Sequence, residues 1–481
     1  MKSKSRSIIV LSLALISLVA MSGCDSGAQA TPTATSIAAP SPQPTTDAIT
    51  PTAQAGTPVS QALVEAARQA ITQMAAGDFA SVEANFDKTM QEKLPEAMLK
   101  TVWGQIEGQF GAYKGQTGTT TDRQQGYDIV VVAVELEKGS LNARFVFDKD
   151  GKITGLFFAP ATQSTPPAYI PPPYVNQSAF TERDVKVGSG EWELPGTLSM
   201  PAGAGPFPAV VLVQGSGPQD RDETIGLNKP FRDLAWGLAS QGVAVLRYDK
   251  RTLVYQQKMA AMVDKITVKE EVTDDALLAL DLLKNTEGVD KNRVFLLGHS
   301  LGGYLVPMMV NSAPDLAGAI VMAGTTRPFE DVVLDQYTYL FDLDGKVTAD
   351  EQKQLDELKQ QVARVKDPNL STSVPATDLP LGLPANYWLS IRGYDPAKLA
   401  ASQKVPMLIM QGERDYQVTM VDLKGWQDAL GSRSDVEFKT YPKANHIFKD
   451  GEGTPSPDDY NSQGHMTEQA VKDIGAWING R

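Results

Sequence analysis

Val294-Phe295-Leu296-Leu297-Gly298-His299-Ser300-Leu301-Gly302-Gly303-Tyr304-Leu305-Val306 is the stretch that decides how this chain reads. Four apolar residues in succession fit a buried strand, and the run from Gly303 onward opens a helix. Between them stands Gly298-x-Ser300-x-Gly302, the pattern of a nucleophile elbow. A serine there sits on a strained turn with its hydroxyl projecting, and the flanking glycines avoid collisions where strand and helix pack closely. The pentapeptide alone is weak; a strand before it and a helix after it make it strong. A serine hydroxyl is a poor nucleophile at neutral pH, so a base must accompany it.

Outward from this stretch, apolar runs at 207–213, 242–248, 293–297, 319–322, 407–411 and 436–440 read as strands, with 277–284 helical. Near-continuous apolar strands separated by helices predict a mostly parallel sheet covered on both faces. Function in such sheets sits beyond the carboxyl ends of the strands.

Elbow-bearing folds order their triad as Ser, acid, His. His299 precedes the serine and fails that order. His446, in Pro442-Lys443-Ala444-Asn445-His446, hangs from the loop after the last strand and is the expected base. His465 opens an expected helix over 466–477 and reads as a surface or capping residue. The acid should follow the strand at 406–411, in Gln411-Gly412-Glu413-Arg414-Asp415-Tyr416. Asp415 is the candidate, to fix the imidazole tautomer and stabilise the imidazolium. Glu413 is the alternative, and Asp422 lies further on, inside the next helix.

An acyl-transfer site also needs two N–H donors aimed at the developing oxyanion. The amide of Leu301 is one. The loop Gln214-Gly215-Ser216-Gly217-Pro218 should supply the other, from Ser216 or its rival Gly215.

The spans Gln214-Gly-Ser-Gly-Pro-Gln-Asp-Arg-Asp222 and Gly242-Val-Ala-Val-Leu-Arg-Tyr-Asp-Lys-Arg251 resemble bacterial α/β-hydrolases of the carboxylesterase or acyl hydrolase type. The resemblance runs from about Glu182 to the C-terminus. It implies a doubly wound sheet and hydrolysis of short-chain acyl esters, with Gln214 standing where many relatives carry histidine. Arg221, Asp249 and Arg251 belong to these spans, as pocket residues or as a structural ion-pair network. The long stretch after 322 holds expected helices at 329–341 and 349–365; in this fold it resembles a cap inserted at about 327–400. Leu340, Phe341, Tyr387 and Trp388 are candidates for an acyl pocket or for plain core.

The front of the chain is a different matter. Lys2, Lys4 and Arg6 precede an apolar run from Ile8 to Met21, the pattern of a signal peptide. Met21-Ser22-Gly23-Cys24 resembles the lipobox of bacterial lipoproteins, which implies cleavage after residue 23, lipidation of Cys24, and an anchor on the extracytoplasmic face of a membrane. Residues 24–58 are rich in Thr, Pro and Ala and predict a disordered tether. A second proline-rich linker is expected at 159–178, and the hydrolase domain at 179–481.

Between the linkers, 59–158 predicts a small α+β domain. Ala62, Val64, Ala67, Ile71 and Met74 fall at helical spacing. A second helical stretch covers 86–108 around Pro95, and strands are expected at 127–136, 141–147 and 153–158, with a turn at Asp148-Lys149-Asp150-Gly151. The run Phe145-Val-Phe-Asp-Lys-Asp-Gly-Lys-Ile153 resembles an uncharacterised, cone-like domain found before bacterial hydrolases. A spacer or docking module is its expected role.

Composition narrows the classes. A hydrophobic fraction of 42% with 21% charged residues is ordinary globular usage. Lys and Arg total 44 against 57 Asp and Glu, a net charge of −13, which argues against a nucleic-acid surface. One cysteine excludes a disulfide framework within the chain, and three histidines leave little for a metal centre. No metal or organic cofactor is expected, and the expected partners are a small-molecule ester and, through Cys24, a membrane. The rival readings are peptide, thioester or acyl-transfer chemistry on the same triad, or an inactive surface binding protein.

Overall fold

The computed structural model describes residues 59–124, 127–160 and 169–481. The signal peptide, Cys24 and the tether to residue 58 lie outside the described residues, as do residues 161–168 of the second linker. The described chain divides into two compact units at Ile170 and Pro171. The larger unit therefore starts inside the proline-rich stretch. Tyr174 joins its core, and the Tyr174 hydroxyl donates to the Met466 carbonyl at 3.1 Å.

The smaller unit sets a helix, Gln61–Ala75, and a second, Glu96–Phe110, against an antiparallel sheet of four strands. These are β1 Tyr113–Gln124, β2 Tyr127–Leu136, β3 Gly139–Phe147 and β4 Ile153–Pro160, paired in chain order. Alternation in β2 and β3 sends Val130, Val132 and Val134, with Leu141, Ala143 and Phe145, into the core under the helices. The expected turn is present: Gly151 takes φ +75°, and Asp148 Oδ1 accepts the amides of Asp150 and Lys152. Two elements are additional to the sequence reading, the short helix Phe79–Glu83 and the polar strand β1.

The larger unit is built on a sheet of eight strands. They are β5 Phe180–Val187, β6 Leu194–Pro201, β7 Phe207–Val213, β8 Ala244–Tyr248, β9 Val289–His299, β10 Gly318–Met322, β11 Met407–Gly412 and β12 Val436–Tyr441, in the order 12-11-10-9-7-8-6-5. Neighbours from β8 to β12 run parallel, while β5 and β6 add an antiparallel edge. Side chains alternate between two cores. Val211, Leu296 and Ile409 face one, and Val210, Phe295 and Leu408 face the other. Both faces are covered, so the strands read as unbroken apolar runs, each buried side chain contributing about 1.5–3 kcal/mol.

The order reverses between β7 and β9, and such a switch point opens a crevice beyond the carboxyl ends of the strands. The stretch between β10 and β11 forms the cap, with helices Phe329–Phe341, Ala349–Lys366, Ala385–Ser390 and Pro396–Ala401. Thr348 and Glu351 close a capping box on the second of these.

Candidate active site

Ser300 joins β9 to the helix Leu301–Ser312 with φ +54° and ψ −116°. A non-glycine residue in that region is strained, and the surroundings must hold it there. Gly298 and Gly302 make the turn possible. A Cβ on Gly298 would lie 2.3 Å from the Gly302 carbonyl oxygen, and one on Gly302 would lie 2.4 Å from the Val213 carbonyl oxygen.

Asp415 and His446 come together from the loops after β11 and β12. His446 Nδ1 stands 2.7 Å from Asp415 Oδ2, and both side chains are nearly sealed from solvent. Asp415 is fixed by the amides of Gln417 and Val418 on Oδ1, at 2.8 and 3.0 Å, and by Gln411 Nε2 on Oδ2 at 3.1 Å. A carboxylate accepts, so Nδ1 carries the proton and Nε2 keeps its lone pair for use as a base. The Ser300 hydroxyl makes no hydrogen bond among the described residues; contacts of this kind tighten when substrate is bound.

The loop that carries His446 is tied to the elbow through His299. His299 Nε2 lies 2.8 Å from the His446 carbonyl oxygen, and the two rings stand 4.7 Å apart. His299 Nδ1 lies 2.9 Å from Glu223 Oε1. Both ring nitrogens face acceptors, the state of an imidazolium. Burial opposes that charge, but the Glu223 carboxylate, the His446 carbonyl and the Asp415 charge together raise the His299 pKa.

The loop after β7 rests on the elbow: a Cβ built on Gly215 would sit 3.1 Å from Ser300 Cβ and 3.6 Å from its Oγ. Its backbone is almost fully bonded. The Gly215 amide donates to Glu223 Oε1 at 2.6 Å, and the Gly217 amide to Glu271 Oε1 at 3.2 Å. The carbonyl of Gly215 accepts from Lys250 Nζ, that of Ser216 from Gln219 Nε2, and that of Gly217 from Thr252 Oγ1 and the Gln219 amide. The Ser216 amide alone has no partner among the described residues. Of the two donors open in the sequence, Gly215 is occupied and Ser216 is free. Leu301, as the first residue of its helix, also has an amide with no partner inside the helix.

The remaining candidates are engaged elsewhere. The Glu413 side chain is exposed. Asp422 caps the helix Met420–Leu430 and pairs with Arg327 at 3.0 Å. His465 faces Asp233 at 3.1 Å and stands ahead of the last helix, which begins at Glu468. Arg221 grips Asp249 with two bonds, and Arg251 grips Asp275, so these residues form ion pairs. Gln214 donates to the Tyr248 carbonyl. Leu340, Phe341, Tyr387 and Trp388 are all buried in the cap, where Trp388 stacks on Phe329 at 5.8 Å. Glu223, Lys250 and Glu271 were not singled out in the sequence. Glu223 follows directly on the quoted span to Asp222 and Lys250 lies inside its companion, so proximity to those spans was the available signal. Among the described residues no group of three or more His, Cys, Asp or Glu could hold a metal ion.

Residues 228–450 match the family described as serine aminopeptidase, S33, and residues 67–156 match one described as a protein of unknown function, DUF3887. Esterase EstD of Thermotoga maritima is 36% identical over 390 residues, covering 81% of this chain and 89% of that protein. Among solved structures, Est1E from Butyrivibrio proteoclasticus aligns at 16% identity and a TM-score of 0.40, over 62% of this chain and 99% of its own. The acylaminoacyl peptidase of Pyrococcus horikoshii aligns at 15% identity and a TM-score of 0.40, over 77% and 51%.

Proposed function

The chain belongs to the α/β-hydrolase family that includes Esterase EstD, and on that footing we propose that it cleaves carboxylic esters of short acyl chain through a serine acyl-enzyme. The observation that carries this reading is the 2.7 Å contact between His446 and Asp415, two residues that follow a strained Ser300 in the chain order of elbow-bearing folds.

Ser300 Oγ attacks the ester carbonyl carbon while its proton passes to His446 Nε2. Asp415 holds the ring and stabilises the imidazolium that forms. The carbonyl oxygen, now negative, is met by the amides of Ser216 and Leu301. His446 returns the proton to the leaving alkoxide, which departs as the alcohol and leaves an acyl group on Ser300. Water then attacks that acyl group, gives a proton to His446, and releases the acid as Ser300 Oγ is reprotonated.

A series of p-nitrophenyl esters of increasing acyl length tests this with the native chain and Ser300→Ala. Turnover that peaks at short acyl chains and vanishes in the variant is the expected result. The aminopeptidase description of the matched family favours a second reading, peptide substrates on the same triad. Faster cleavage of aminoacyl p-nitroanilides than of any ester would select it.

We further propose that the protein is anchored by a lipid on Cys24 at the extracytoplasmic face of a bacterial membrane. The charged start, the apolar run and the small residues before Cys24 support this. Among the described residues, no helix is long and apolar enough to cross a membrane. Incorporation of labelled palmitate that is lost in Cys24→Ala is the expected outcome; equal labelling of both would contradict it.

A further inference from the structure

The triad leaves a buried ion pair unused. Lys250 and Glu271 are almost fully buried, with Nζ and Oε1 2.8 Å apart. A buried pair is weak evidence for stability, since apolar residues of similar volume do as well or better. Its other bonds give it a purpose. Lys250 Nζ also donates to the Gly215 carbonyl at 2.8 Å, and Glu271 Oε1 also accepts the Gly217 amide. The pair thus grips the backbone on both sides of Ser216, whose amide is the free one.

Glu271 has a second oxygen, and the cap uses it. Tyr387, in the helix Ala385–Ser390, donates its hydroxyl to Glu271 Oε2 at 2.7 Å, with both residues buried. Burial and the neighbouring carboxylate hold the Tyr387 phenol well above its ordinary pKa, so it remains a donor. Glu271 stands in a π-helical turn, Lys269–Thr273, a local irregularity that often accompanies functional sites. The bonds therefore run from the cap hydroxyl to Glu271, from Glu271 to the loop amide, and through Lys250 to the loop carbonyl.

Resting on the serine-hydrolase reading above, we propose that Glu271 and Lys250 are positioning residues that aim the Ser216 amide at the oxyanion, and that Tyr387 makes this aim depend on a seated cap. None of the three touches the reacting atoms. Their effect falls on a hydrogen bond that matters most when the carbonyl oxygen becomes negative, so it appears in kcat rather than in KM.

The test compares the full chain with Tyr387→Phe, Glu271→Gln and Glu271→Ala, with rates expressed per Ser300 titrated by a fluorophosphonate. Loss of one oxyanion donor costs about 10²–10³ in kcat, and misaiming it costs part of that. Glu271→Ala is expected to lose about 100-fold, Glu271→Gln less because its carbonyl still accepts the Gly217 amide, and Tyr387→Phe about 10-fold, with KM changed less than about 2-fold. Affinity for an alkyl boronic acid, which forms a tetrahedral adduct on Ser300, should weaken in parallel with kcat. Affinity for the carboxylic acid product should not. Variants that melt earlier but match the native chain per titrated site, in kcat and boronic acid affinity alike, would overturn the proposal. Tyr387→Phe removes a single oxygen and carries the test if the Glu271 variants do not fold. The rate of fluorophosphonate labelling uses the same donors and reads the loop whichever substrate is right. A native chain that neither turns over esters nor labels overturns both readings; native labelling with unaffected variants overturns this one alone.

Discussion

The two units are built on different principles. Among the described residues of the smaller unit every fully buried side chain is apolar, from Ala67 to Ile153. The larger unit buries Asp222, Glu223, Arg247, Lys250, Arg251, Glu271, Asp275, His299, Asp415 and His446. Taking charges out of water costs several kcal/mol per ion, and pairing rarely returns more than that. The smaller unit shows that this sequence can build a core without such groups. Where they cluster, around the β7 loop and the elbow, they bond to backbone: Glu223 and Lys250 to Gly215, Glu271 to Gly217, and His299 to the His446 carbonyl.

Four changes would break or sharpen this contrast. The largest effect is expected from Asp415→Asn, which keeps the shape of the site and disturbs the imidazole tautomer. A loss of about 10⁴ in kcat is predicted, with the melting temperature almost unchanged; initial rates and calorimetry on one preparation check both.

Phe145→Ala, in the apolar core of the smaller unit, should do the reverse. Phe145 is fully buried and stacks on Phe147 at 6.3 Å, so its truncation should cost about 3–5 kcal/mol in denaturant unfolding of that unit. Turnover per titrated Ser300 should stay at the native level.

Glu271→Leu leaves Lys250 as an unpaired buried charge and should destabilise the larger unit by about 3–5 kcal/mol. Adding Lys250→Met should restore most of that stability without restoring kcat. Recovery of both would mean that the pair serves the fold alone.

The smallest effect concerns His299. Its pKa is raised in the folded chain, because against burial the Glu223 carboxylate, the His446 carbonyl and the Asp415 charge act together. A raised pKa contributes stability that is fully present below the unfolded value of about 6.5 and is lost as pH rises through the folded value. The stability gap between the native chain and His299→Gln should therefore be widest below about pH 6.5 and narrow as the solution is made more alkaline. Urea titrations across that range would detect a gap of the opposite slope.

Much of this was legible before the structure. β7 to β11 announce themselves by apolar runs because both faces of the sheet are covered there, whereas the edge strand β12 buries only Val436 and Tyr441. The turn at Ser300 and the meeting of Asp415 with His446 follow from their places after strands. β1 was missed because Tyr113–Gln124 is polar along most of its length, and its strand character comes from pairing with β2. β5 was missed for a similar reason: of its residues only Phe180 and Val187 are buried, and β6 supplies its hydrogen bonds. The grip of Glu271 and Lys250 on the loop after β7 could not be read at all. Glu271 lies 54 positions from Gly217 and 116 from Tyr387, and no local pattern encodes a bond across such intervals.

The central claim is a covalent acyl group on Ser300. Mixing the native chain with a slowly deacylating p-nitrophenyl ester, quenching in acid within the first turnover and mapping the peptides by mass would test it directly. The expected result is the acyl mass on the peptide that carries Ser300, absent from Ser300→Ala. Turnover of the ester with no acyl mass on that peptide, or with the mass on another residue, would contradict the account.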